Sequence, residues 1–273
     1  MAEPGKNPNE MSFFEHLEVL RWHLFRAALS VVVVSVAVFS AKTFIFQTVV
    51  LGPISPDFPT YKLFCRISPQ LCFYPENLQI LTKDIQEQFI CHIKVSLWLG
   101  FIVAFPYIFY EFWKFIKPGL YKKEIVAARG MVFICSFLFL LGVSFGYFLI
   151  SPVAITFLSS YSVSPDVANT TTLVALVDNM TMFTLPTGLI FEMPVVMYFL
   201  AKIGIVSSAY LAQYRRHALV VITILSAIIT PTADAFTMTL VGIPLYLLYE
   251  VSIIVTRKID KERAEQEKLE ENG

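Results

Sequence analysis

Apolar residues gather in this chain into long runs separated by short polar stretches. One run, rich in Val, Ala and Phe, covers about residues 25–46. Others cover about 88–116, 131–150, 179–203 and 236–256, with a shorter one over 217–230. A helix needs about 20 apolar residues to cross a hydrocarbon core of about 30 Å. The pattern therefore predicts an all-α integral membrane protein with six transmembrane helices, of which spans 5 and 6 are the short ones. The 14 residues from His217 to Thr230 rise only about 21 Å. A span shorter than the core draws the lipid inward, so a thinned bilayer is expected beside it.

Smaller features punctuate the runs. Phe13, Leu17, Leu20 and Leu24 recur at spacings of three and four, so residues 12–24 read as an amphipathic helix lying at the interface. Pro118-Gly119 closes span 2, and Pro106 within that span predicts a kink. Gly142, Ser144 and Gly146 are small enough to let helices approach closely. Residues 47–87 and 151–177 form the two longest polar loops. The organisation reads as a tail and interfacial helix over 1–24, a membrane domain over 25–256 and a charged, solvated tail over 257–273.

Charge gives this layout a direction. Six spans place both termini on one side, and sixteen of the 21 Lys and Arg residues fall on that side. The positive-inside rule makes it the cytoplasm. The polar start of the chain does not resemble a signal peptide. Net charge is zero, which removes any bulk electrostatic case for nucleic acid. Of the four cysteines, Cys91 and Cys135 lie in apolar runs and read as packing residues. Cys65 and Cys72 share the first polar loop, and form a disulfide there or remain free thiols according to the compartment. The sequence has no CxxC or Cys/His metal pattern, no HExxH, no GxSxG and no P-loop. No catalytic residue, metal or cofactor is expected, so any work must draw on an ion gradient or a partner.

Acidic residues carry the candidate chemistry. Glu192 lies ten residues before Lys202, about 15 Å along a helix and near mid-membrane. A charged carboxylate there costs about 2.5–3.5 kcal/mol on insertion scales. It reads as a polar group used in transport or as a neutral, hydrogen-bonded structural acid. Glu250, nearer the interface, reads as wetted or paired with a basic neighbour. Glu111, three residues before Lys114, reads as half of a helix-surface pair. Glu124 sits in the first turn of span 3, where it complements the helix dipole. A carboxylate there also matches a guanidinium in a bidentate pair, and Glu15 and Glu18 lie on the same side. Arg21 and Arg26 read as membrane-surface anchors.

Five motifs occur in order: HLEVLRWHL (His16–Leu24), FxxPGLYxxE (Phe115–Glu124), FEMP (Phe191–Pro194), TPTADAFT (Thr230–Thr237) and IPLYLLYE (Ile243–Glu250). Together they resemble TatC, the multispan subunit of the twin-arginine protein translocase, whose N-terminal pattern is HLxELRxRL. The likeness runs from about residue 12 to 257. It implies a bacterial inner-membrane subunit, not an enzyme, that binds twin-arginine signal peptides of folded cargo at the cytoplasmic face. It implies assembly with single-span TatA- and TatB-type subunits, self-association, and transport driven by the proton-motive force. By motif, Glu124 becomes the main acceptor for the arginines. Phe115, Pro118, Leu120 and Tyr121 shape its loop, and Glu18 and Arg21 lie on the neighbouring helix. Glu192 becomes the buried polar residue of a concave face, and Pro53 the start of the first outer loop. One departure is Val19, where the family pattern has an acid; Glu18 is about 100° away around a helix. The alternative function is an ion-coupled small-molecule transporter with Glu192 as proton site. It predicts internal repeats, and the sequence shows none.

Overall fold

The first apolar run and the stretch before it form one helix, α1 (Phe13–Ser40), in the computed structural model. The structure describes residues 13–67, 74–75, 78–116, 130–161, 164, 170–230 and 235–271. After α1 come a helical turn, a π-turn (Ile45–Val50) and a 3-10 turn (Gly52–Ile54). Then follow α2 (Pro59–Ile67), the short strand β1 (Gln79–Leu81) and α3 (Glu87–Ile116). Next are α4 (Met131–Phe145), a π-turn (Gly146–Ile150), α5 (Ser151–Ser160) and β2 (Thr170–Thr172). The chain continues with α6 (Leu173–Ile190), α7 (Met193–Lys202), α8 (Ser208–Gln213), α9 (Arg215–Ile229) and α10 (Ala235–Glu271). Five stretches are long and apolar enough to cross a membrane: Leu17–Ser40, Glu87–Ile116, Met131–Ser160, Leu173–Lys202 and Thr237–Glu265. The remaining run is α9, helical but only 15 residues long.

Several boundaries differ from the pattern of apolar runs. The interfacial stretch and span 1 are one unbroken helix, since nothing in Arg21–Arg26 is a helix breaker. Span 3 does not stop at residue 150. The π-turn carries the chain into α5, whose Pro152 lies in the first turn, where a missing N–H costs nothing. α6 starts at Leu173 because Thr172 caps it, its side chain accepting the Ala175 N–H at 3.2 Å. Span 6 is not short: α10 runs for 37 residues, with Lys258 and Glu262, and Lys261 and Glu265, spaced for i,i+4 support along its charged end. The all-α expectation also misses one feature. β1 and β2 pair in parallel, Gln79 with Thr170 through Leu81 with Thr172.

The described residues divide into two compact units, 1–41 with 95–136, and 42–94 with 137–273. In the first unit, α1 and α3 run antiparallel. Ala27 packs with Ala104 and Ile108, and Gly100 lies under Ser35. A Cβ on Gly100 would sit 2.0 Å from the Ser35 hydroxyl, so only glycine allows this approach.

The second unit is built on Phe183, Ile150, Val241, Leu245, Tyr249 and Ile253, all buried. Tyr249 donates to the Leu211 carbonyl at 2.7 Å. Its first loop is fastened by Tyr61, which is 1% exposed. The Tyr61 hydroxyl donates to the Pro53 carbonyl at 2.6 Å and accepts from Thr156 at 3.2 Å. Burial pushes this phenol up to about 12, so it stays a donor at any physiological pH. Glu87 joins the two polar loops, accepting the Lys83 N–H at 2.6 Å and the Val174 N–H at 3.2 Å. Gly142 and Gly146 make the close approaches their size suggests, whereas Ser144 is exposed.

A Cβ on Gly146 would lie 2.4 Å from the Phe183 carbonyl oxygen, which is backbone and cannot swing aside. Gly146→Ala should therefore lower stability in detergent by about 1–3 kcal/mol. Gly130→Ala, with nothing within 4 Å of its added carbon, should not. Equal thermal midpoints for the two variants would refute the close approach.

Candidate functional site

The candidate site lies where α1 begins and α3 ends. Of the residues implicated by sequence, Glu18 and Arg21 are exposed on α1 and Phe115 is half-buried in the last turn of α3. Pro118, Leu120, Tyr121 and Glu124 lie outside the described residues. Val19 is half-buried, so α1 brings an apolar residue to the position where the family pattern has an acid.

One turn further along, the two helices are joined by a pair that spacing alone did not reveal. His23 Nδ1 donates to Glu111 Oε2 at 2.6 Å. Glu111 is 3% exposed, so it is not the surface partner of Lys114. Ala104, Ile108 and Glu111 are spaced four and three apart, which puts Glu111 on the stripe of α3 that faces α1. Lys114 is exposed on another face. The Tyr107 hydroxyl also hydrogen-bonds Glu111, and the Arg26 charge acts on it. The His23 ring meets Phe115 edge-on at 6.2 Å. Leu20, Leu24, Phe112 and Phe115 line a small apolar cleft beside His23. Continuing the apolar stripe of α3 past Ile108 was the signal that could have found this pair.

The other acids belong to the second unit. Glu192 occupies the turn between α6 and α7 and is 8% exposed. Pro194 has no N–H to continue the ladder, so the helix breaks here. The Glu192 carbonyl takes the N–H groups of Val195 and Val196, each at 3.0 Å. The sequence thus located the buried carboxylate, and the structure adds that it stands at a break in the backbone. Glu250 has the basic neighbour expected of it: Arg215 Nη2 lies 2.8 Å from Oε2, and the Tyr246 hydroxyl donates to Oε1 at 3.1 Å. Pro53 is buried beneath Tyr61. Cys65 is disulfide-bonded, and Cys72 lies outside the described residues. Cys91 and Cys135 are free and buried. Lys94 pairs with Asp178 at 2.8 Å. α9 and α10 flank an apolar groove of about 490 Å³, lined by Leu219, Ile222, Met238, Gly242 and Ile243 among others.

A family model described as Sec-independent protein translocase protein (TatC) matches residues 15–244. The chain belongs to the TatC family. It is 37% identical over 262 residues to the Sec-independent protein translocase protein TatC of Blattabacterium sp. subsp. Periplaneta americana, covering 93% of this chain and 98% of that protein. The corresponding protein of Aquifex aeolicus is 33% identical over 262 residues, covering 94% of this chain and all of its own. A crystal structure of a twin-arginine translocase receptor, TatC, superimposes with a TM-score of 0.69 at 31% identity, covering 90% of this chain and 100% of that one. This TatC-family chain is therefore a membrane protein of Sec-independent protein translocation, and the family is a translocase component. The small-molecule transporter reading gives way to that assignment.

The setting of Glu192 generates a prediction. If the buried polar side chain is used, Glu192→Gln should keep more translocase assembly and transport than Glu192→Leu. Blue-native gels and export of a folded reporter measure the two variants. A fully active Leu variant would remove the polar role.

Proposed function

We propose that this chain is the signal-peptide-binding subunit of a twin-arginine translocase, recognising the paired arginines of folded cargo at the cytoplasmic face. The observation that carries the reading is the braced end of α1 and α3. Glu18 and Arg21 are exposed on α1, Phe115 in the last turn of α3 begins the 115–124 motif, and the Glu124 of that motif matches a guanidinium in charge and shape. The likeness to a twin-arginine translocase receptor over 90% of this chain supports the same reading. On this proposal α9 is a sixth, short span, both termini are cytoplasmic and the protein sits in the bacterial inner membrane. The charged end of α10 projects beyond the lipid. TatA- and TatB-type single-span subunits assemble with it, copies self-associate, and the proton-motive force drives transport. The groove between α9 and α10 has the apolar lining and small residue, Gly242, that suit a partner helix.

Photo-crosslinking to a peptide bearing a twin-arginine signal should label residues 115–124. Glu124→Gln should cut the labelling about tenfold, the loss of a charge-assisted pair. Equal labelling by a peptide with two lysines would exclude guanidinium recognition.

Orientation has its own test. The bonded state of Cys65 supports an oxidising compartment for the first loop, opposite the basic loops. In intact cells, a membrane-impermeant maleimide should label position 65 only after reduction. No labelling even after reduction would overturn the proposed topology, and labelling without reductant would refute the bonded state of Cys65.

A further inference from the structure

The His23–Glu111 pair has no part in the sequence reading of the site, yet it is a buried polar link between the two helices that form it. We propose that it is a positioning latch, fixing the register of α1 against α3 and so the distance between Glu18 and Arg21 on one helix and Phe115, the first residue of the 115–124 motif, on the other. The inference rests on the signal-peptide reading above and adds a residue pair to it.

Three observations support a latch. The pair is buried, with 11% and 4% of the two side chains exposed, so removing His23 takes from the buried Glu111 carboxylate its partner on α1 and leaves it the Tyr107 hydroxyl and the Arg26 charge. The contacts that flank it on one side are apolar or small: Ala27 packs with Ala104 and Ile108, with Val31, Val34 and Phe101 against them, and Gly100 meets Ser35. Apolar burial has no preferred direction, whereas a hydrogen bond 2.6 Å long does. On its other side His23 touches the ring of Phe115, the first residue of the candidate motif. A shift of the imidazole is therefore passed directly to the motif.

The sequence adds a reason for the pair. In the pattern HLxELRxRL, residue 23 aligns with an arginine and residue 19 with an acid. This chain has His23 and Val19. α1 has lost a carboxylate and a permanent cation, and α3 carries a buried carboxylate facing what remains. The guanidinium of Arg would pair with Glu111 as well as imidazole does, since both present N–H donors. The latch thus requires opposite polarity at 23 and 111, not these two residue types.

The test uses the full chain in membranes with its translocase partners. Signal-peptide crosslinking at 115–124 is the first readout. The second is helix closure, read as disulfide formation in a Leu24→Cys, Phe112→Cys double variant, whose two positions line the cleft beside His23. His23→Ala should lower peptide crosslinking about tenfold, within the range of coupled neighbours, and slow the closure. His23→Arg should restore both to within about twofold of the parent. The swapped pair, His23→Glu with Glu111→Arg, should recover most of both. An active His23→Ala variant with unchanged closure overturns the latch. So does a swapped variant that closes normally but has lost the peptide, because the Glu111 carboxylate itself would then be the contact. If the parent chain fails to crosslink the peptide, the signal-binding reading fails instead, and the latch is judged on closure alone.

Discussion

Hydrocarbon offers no water to pair a backbone amide, and every choice in this fold follows from that. Each apolar run must close its hydrogen bonds within itself, so each becomes a helix. Breaks are permitted only where protein covers them. The turn at Phe191–Glu192 is such a place: both residues are buried, and the Glu192 carbonyl finds two N–H partners from the next helix. The π-turn at Gly146–Ile150 is another, with Gly146 and Ile150 buried against the core of the second unit. The irregular backbone sits where side chains from α6 and α10 can enclose it, and the buried Glu192 carboxylate sits with it.

The same constraint explains what was legible from sequence. Apolar runs need only composition to be read, and they placed every long helix. Helix ends were harder, because they depend on caps and turns. α6 starts at the Thr172 cap, and α5 continues past Ser151-Pro152, a dipeptide that reads equally well as a stop. α10 persists through a charged sequence whose i,i+4 charge spacing favours a helix and whose Asp260 accepts the Ser208 N–H at 2.7 Å, tying it to the start of α8. β1 and β2 were invisible: three residues each, paired across about ninety residues of chain, they have no period to detect.

At the candidate site the division runs differently. The ordered motifs pointed to the 115–124 loop and to Glu192. Periodicity and motifs together passed over Glu111, since a nearby lysine gave it an easy partner. What decided its role was the face of α3 it shares with Ala104 and Ile108, and that is visible only when α1 is placed against it. Charge explained by the nearest opposite charge in sequence is a weak inference wherever a helix has a buried side.

The parallel pairing of β1 with β2 has a mechanical meaning. Its three residue pairs, together with the reach of Glu87 to Val174, close the chain between the first and second polar loops into a ring. The two loops cannot be displaced separately. A load applied to the disulfide-bearing loop is borne at once by the start of α6, and from there it runs down the same helix to the break at Glu192. The paired loops are thus connected to that break by one helix, about 27 Å long for the 18 residues of α6.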